Sequence, residues 1–338
     1  MNWLKTFVPI ALAATLGGVN LAGQSDAVVT QVAAAKAAGG QLWPSLVNRL
    51  CSSAQQPPST QPQAPQPTSW TPPAKSEWYR EPEKVFDNMY IFPIKDTSKE
   101  HGIVGVEVAA WAVKGSNGIV LLDSGFDYAV KESIDNGLRK FGLDPSQIKY
   151  LLVTHGHGDH FGGTKYLQEL YNPQVFMGPG DWELVAKGGY VGIGQPQPKR
   201  DKVATDGQKF TVGDTTVTAY LTPGHTPGTL SFLIPVTIKG TPHVAAFWGG
   251  TAMGRGSPAA DLQTFSASAQ RFADIAAKAG ADIMLSNHDW AGEFSTKLAM
   301  MKANPNGPNP FVVGVDVVRR YTQVLDHCAQ ASLAAQKQ

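Results

Sequence analysis

The sequence predicts an α/β fold, an αββα sandwich in which two mixed β-sheets pack face to face with helices on the outer faces. Three observations lead there: strand-like runs alternate with helical ones from Trp78 onward, the same order returns in the second half, and each sheet needs a cover on both faces. At 338 residues the chain suits one large domain with attached tails. The expected division is an N-terminal leader over residues 1–23, an N-terminal segment with a proline-rich linker over 24–75, and the folded domain with a C-terminal helix over 76–338.

Taken in order, the first residues join an early Lys5 to an apolar stretch rich in Ala and Leu, followed by small residues around Leu21, Ala22 and Gly23. That pattern reads as a cleaved secretory signal, and the protein is expected to be secreted or periplasmic. Gly17, Gly18 and Asn20 interrupt the run before the roughly 20 apolar residues a span requires, so no stable membrane insertion is expected. Ala27 to Leu50 carries a weak helical pattern without an evident partner. Ser52 to Lys75 holds seven of the 24 prolines and almost no aliphatic residue, too little apolar surface to offset the entropy of ordering.

Strand-like runs then appear at Met89–Pro93, Val104–Val113, Gly118–Asp123 and Lys149–Thr154, with a helical stretch at Tyr128–Phe141 that Gly142 ends. Phe210–Val212, Thr215–Leu221, Leu230–Pro235 and His243–Trp248 follow as strands. Ser257 and Pro258 read as the N-cap and first-turn proline of a helix with Leu262, Phe265, Phe272 and Ile275 on one face, running to Gly280. In the last segment Val317, Val318, Tyr321, Val324, Leu325 and Cys328 recur at helical spacing, which puts Cys328 on a buried stripe. Cys51 is the other cysteine of the chain; in an oxidising compartment the two pair, the alternative being two separate buried thiols.

A net charge of +1, from 28 basic and 27 acidic residues, offers no footprint for a phosphate backbone, and nucleic acid is not an expected partner. Chemistry concentrates instead after the apolar strand that begins at Tyr150, where His155, His157, Asp159 and His160 fall within six residues. Imidazole and carboxylate are zinc-binding side chains, and Gly156 and Gly158 let the backbone turn tightly between them. Two further histidines follow strand-like runs: His225 in Thr222-Pro-Gly-His-Thr-Pro-Gly-Thr229, and His288 in Leu285-Ser-Asn-His-Asp289.

These pieces, in this order, resemble the metallo-β-lactamase superfamily, whose signature is His-X-His-X-Asp-His followed by two separate histidines; the likeness runs from about Trp78 to Asp289. The resemblance implies the metallo-β-lactamase fold and two Zn²⁺ ions, one held by His155, His157 and His225, the other by Asp159, His160 and His288. His101, His243 and His327 remain as ordinary polar residues, although His101 sits in a loop able to overhang the site. Asp123 is expected either to orient a ligand histidine or to cap a turn.

One position departs from most of the superfamily. Where a metal-bridging aspartate usually stands, this chain has Phe247-Trp-Gly-Gly250-Thr. The remaining set, three histidines opposite one aspartate and two histidines, is similar to that of the third, cysteine-free subclass of metallo-β-lactamases. The implied function is a zinc-dependent hydrolase in which metal-activated hydroxide attacks a carbonyl and Asp159 both binds metal and orients the nucleophile. The expected substrate is a small molecule with a cyclic amide of the β-lactam kind; another amide, a lactone or a thioester is the alternative, and an iron-dependent oxygenase a further one. Two dications against a single carboxylate ligand leave the site positive, so an anionic substrate is expected, and Gly250→Asp is expected to weaken that preference.

Overall fold

A computed structural model of the chain describes residues 25–55, 72–96, 106–188, 195–253 and 256–337. The leader and His101 lie outside the described residues, as does most of the proline-rich stretch. Two mixed sheets are present. The first has seven strands in sequence order: β1 (Glu83–Phe86), β2 (Met89–Asp96), β3 (Val106–Gly115), β4 (Gly118–Leu122), β5 (Ile148–Leu152), β6 (Gln174–Met177) and β7 (Lys202–Val203). Pairing is antiparallel through β4 and parallel from β4 to β7. The second, ordered β12-β11-β10-β9-β8, contains β8 (Gln208–Val212), β9 (Thr215–Leu221), β10 (Leu230–Ile238), β11 (Thr241–Trp248) and β12 (Ile283–Ser286), with β11 and β12 parallel.

Helices among the described residues are α1 (Asp26–Gly39), α2 (Pro44–Gln55), α3 (Lys75–Trp78), α4 (Asp127–Val130) continued through a π-helical turn (Lys131–Asp135) into α5 (Asn136–Lys140), α6 (Gly158–Phe161), α7 (Thr164–Tyr171), α8 (Asp181–Ala186), α9 (Ala259–Lys278), α10 (Asp289–Gly292), α11 (Phe294–Ala303) and α12 (Val315–Ala335). A single helix was expected over Tyr128–Phe141, and the structure inserts the π turn. The N-cap of α9 is Pro258 rather than Ser257, because the chain stays extended through the proline and turns helical only at Ala259.

The period-two alternation of the strands builds the layers. In β3, Ala109, Trp111 and Val113 point between the sheets while Ala110 and Ala112 face the outer helices. In β11, Ala245 and Phe247 point between the sheets and Ala246 and Trp248 face the opposite outer layer. Both faces are therefore apolar, which is why these strands read as near-continuous hydrophobic runs. Val130, Ile134, Leu138 and Leu167 cover the first sheet. Leu262, Phe265 and Phe272 of α9 and Tyr321, Val324 and Leu325 of α12 cover the second, joined there by Val28 and Val32 of α1, Trp43 of the connecting turn, and Leu46 and Leu50 of α2. The weak helical pattern of the N-terminal segment is thus a helical pair seated on α12, and Cys51 of α2 is bonded to Cys328 of α12. No helix among the described residues is long and apolar enough to cross a membrane.

Candidate metal centre

The site forms where strands of both sheets end at one edge of the sandwich. β4 ends at Leu122 before Asp123, β5 at Leu152 before the loop to His155, β9 at Leu221 before His225, and β12 at Ser286 before His288. Within the first loop His157 is the extended residue that starts the single turn of α6, so Asp159 and His160 project from a helical turn beside it. Distant segments thereby converge on two adjoining groups of side chains, His155, His157 and His225 in one and Asp159, His160 and His288 in the other.

In the first group the ring centroids stand 4.5 to 4.7 Å apart in a triangle, and Nε2 of His155 faces Nε2 of His225 at 3.1 Å. In the second, Nε2 of His160 faces Nε2 of His288 at 3.3 Å and Oδ2 of Asp159 at 3.3 Å. The groups adjoin through His155 and His160, whose rings lie 4.2 Å apart. Oδ1 of Asp159 and Nδ1 of His288 are buried and have no hydrogen-bond partner.

Burial, reinforced by neighbouring histidines, holds His155 and His157 well below the usual imidazole range. Burial likewise lowers His225 to about 4, and burial with His160 nearby lowers His288 to about 3. These four rings are neutral at pH 7 and keep a lone pair. His160 behaves oppositely: burial opposes its charge, but the Asp159 and Asp123 carboxylates outweigh burial and raise it to about 10. Burial also opposes charge on Asp159, where His160 prevails and keeps the carboxyl ionised.

The outward ring nitrogens are held from behind. Nδ1 of His155 lies 2.9 Å from the Gly249 carbonyl, Nδ1 of His225 contacts the Ala252 carbonyl, and Nδ1 of His160 lies 2.9 Å from Oδ2 of Asp123. Each contact holds the proton on Nδ1 and aims Nε2 into the site. Asp123, buried and in the left-handed region at φ 61°, also accepts from the Thr154 N–H at 2.6 Å and the Thr154 hydroxyl at 2.9 Å. Of the two roles expected for it, the geometry supplies the orienting one.

Sequence reading missed two further buried side chains. Asn287 donates to the Gly249 carbonyl at 2.7 Å and to the Thr154 hydroxyl at 3.0 Å, tying β11, β5 and β12 together behind the histidines. Asp181, at the start of α8, accepts from Gly156 N, the Thr226 hydroxyl and Gly228 N, each at 2.9 Å, and so links the His155 loop to the His225 loop. Nothing in the sequence near Asp181 signals this. Asn287 had one cue, its place beside His288. His243 instead pairs with Asp282, and His327 with Gln31, away from the site.

Gly250 lies against the first group. A Cβ placed on it would stand 2.9 Å from Cβ and Cδ2 of His225 and 2.7 Å from Cγ2 of Thr229. A Gly250→Asp side chain would therefore push on His225 as well as add charge, so that substitution does not isolate electrostatics.

A two-sheet sandwich with histidine and carboxylate groups gathered at the strand ends defines the class, a scaffold whose side chains could hold metal ions. Residues 103–237 of the chain match the family model of the metallo-β-lactamase superfamily. Among solved structures it is similar to BJP-1, a subclass B3 metallo-β-lactamase of Bradyrhizobium japonicum, with a TM-score of 0.61 and 26% identity over 74% of this chain and 92% of that one. FEZ-1 of Legionella gormanii gives 0.61 and 22%, covering 72% and 92%. Among curated proteins, an atrochrysone carboxyl ACP thioesterase of Pseudocercospora fijiensis is 33% identical over 49% of this chain and 44% of its own length. The lactamase-like protein adaB of Aspergillus niger is also 33% identical, over 46% and 43%. The chain thus spans less than half the length of these two relatives.

Proposed function

We propose that the protein is an exported dinuclear zinc hydrolase that opens a β-lactam or a closely similar cyclic amide. The observation that carries the reading is the pair of three-residue groups, complete and adjoining, with Gly250 where most of the superfamily has a bridging aspartate. The donor set fits zinc. A Zn–N distance of ~2.0–2.1 Å at a tetrahedral angle separates two ligand nitrogens by about 3.3 Å, and the facing imidazole pairs stand at 3.1 and 3.3 Å. The buried, unbonded Oδ1 of Asp159 needs a cation or a donor, as every buried carboxylate oxygen does. His155, His157 and His225 would hold one ion, and Asp159, His160 and His288 the other.

Zinc in such a site polarises a carbonyl and lowers the pKa of a shared water from 15.7 towards about 7. The chain's own residues supply position and charge. With Oδ2 turned to His160, Asp159 has Oδ1 left to accept a hydrogen bond from the attacking water and align it. The backing carbonyls of Gly249 and Ala252 and the Asp123 carboxylate keep the imidazoles from turning away. Only one carboxylate ligand offsets the metal charge, so an acyl substrate that carries its own carboxylate is favoured. The Cys51–Cys328 bond supports export, because such bonds persist in oxidising compartments.

The β-lactam reading is supported by similarity to BJP-1 across nearly all of that chain. The thioesterase relative favours a second reading, thioester hydrolysis by the same residues. The test is metal content of protein purified without added metal, followed by turnover of benzylpenicillin, its methyl ester and an acyl thioester. Two equivalents of zinc and faster cleavage of the penicillin acid than of its ester are expected. Cleavage of the thioester with no cleavage of penicillin would overturn the β-lactam assignment, and stoichiometric iron would overturn the metal.

A further inference from the structure

Helix α2 carries a cation towards the rim of the metal centre. Leu46, Leu50 and Cys51 bury one face of the helix, while Arg49 projects from another. Its guanidinium carbon stands 4.8 Å from the centroid of the Trp290 ring. Trp290 in turn stacks towards His288, with ring centroids 5.8 Å apart and planes 34° from parallel. Arg49, Trp290 and His288 thus form a row in which the guanidinium is one ring removed from a ligand histidine.

Among the described residues Arg49 forms no ion pair; its side chain stays exposed, and partial desolvation lowers its pKa. A guanidinium lying on an indole keeps its planar edge of N–H donors exposed, and that edge matches a carboxylate in two parallel hydrogen bonds. The disulfide from the neighbouring Cys51 to α12 holds this part of the α2 backbone in place.

We propose that Arg49 is the specificity-determining residue that binds the carboxylate of an anionic acyl substrate, with Trp290 as the platform that holds its guanidinium edge-on to the site. The inference rests on the reading of this site as a hydrolase for carboxylate-bearing acyl compounds. It adds that the charge preference comes from an N-terminal helix outside the ligand loops.

The probes are benzylpenicillin and its methyl ester, with binding to chelator-treated protein measured by calorimetry and turnover measured with zinc restored. Arg49→Met keeps an unbranched apolar stem over Trp290, so lost packing is not mistaken for lost charge; Arg49→Ala is the second variant. The wild type should bind the acid more tightly than the ester. Both variants should lose about tenfold or more in affinity for the acid, and the same factor in KM, with less than about twofold change for the ester and unchanged zinc content. Equal losses for acid and ester, no loss for either, or a wild type that does not prefer the acid would overturn the proposal. The two readings separate cleanly. Arg49-dependent binding of the acid without its hydrolysis would refute the β-lactamase function and leave Arg49 assigned, whereas hydrolysis indifferent to Arg49→Met would do the reverse.

Discussion

Replacing Asp123 by Asn exchanges one acceptor oxygen for an N–H donor group in a buried pocket that offers the carboxylate several donors. Thr154 N–H points at Oδ1 from 2.6 Å and cannot be re-aimed, so the amide oxygen must take that position. The new NH₂ then falls where Oδ2 was, 2.9 Å from Nδ1 of His160. To avoid two donors in contact, His160 must accept at Nδ1 and carry its proton on Nε2, the nitrogen that faces His288 and Asp159. A protonated Nε2 cannot ligate metal. Either the tautomer reverts at the cost of a donor–donor clash, or the ion loses a ligand. Loss of such a backing partner lowers metal affinity by roughly 10- to 100-fold, equivalent to about 1.4 to 2.7 kcal/mol. The assay is competition for zinc against a chelating dye, with circular dichroism to establish that the variant is folded. The Asp159, His160 and His288 site should weaken by that factor, while the His155, His157 and His225 site changes little. A folded Asp123→Asn protein that holds two equivalents with wild-type affinity would refute the reasoning.

Replacing His225 by Ala should release one metal equivalent and most activity, because two remaining histidines hold an ion poorly; metal analysis after gel filtration reads it, and retention of both equivalents with normal turnover would overturn the ligand assignment. Reducing the Cys51–Cys328 bond, which closes a sequence separation of 277 residues, should lower stability by up to about 5 kcal/mol, visible as an earlier denaturant midpoint. Two free thiols in unreduced, denatured protein would rule the bond out. Burial raises Asp181 to about 6, despite its three hydrogen bonds. A folded pKa above the unfolded one means a contribution that is fully present below about pH 4 and lost as pH rises through 6. Between those limits wild type should lose about 3 kcal/mol relative to Asp181→Asn, measured as the difference in unfolding free energy against pH on metal-free protein; parallel curves would contradict it.

What the sequence determined by itself was local. The run of His155, His157, Asp159 and His160 declares itself because one strand end and one short turn bring four donors together within six residues, and no long-range contact is needed to see them. The two-sided sheets were legible for the same reason, since strands such as β3 and β11 are apolar at nearly every position. Strands β1, β6 and β7 were not, being four, four and two residues long, too short for an alternation to register. The cysteine pairing was readable because the chain has two cysteines to join.

Only the tertiary structure decided the rest. Asp123 meets His160 across 37 positions of sequence, Asp181 bridges loops at Gly156 and Gly228, Asn287 reaches Gly249, and Arg49 arrives over Trp290 from a helix pinned to the far end of the chain. A carboxylate that orients a ligand and one that faces solvent have the same covalent chemistry. What separates them is which donors packing places within about 3 Å, and packing of sheet on sheet is a property of the whole chain. The same holds for Gly250: the sequence shows an absent carboxylate, and only its distance to His225 shows that an added side chain would have to displace that histidine or Thr229.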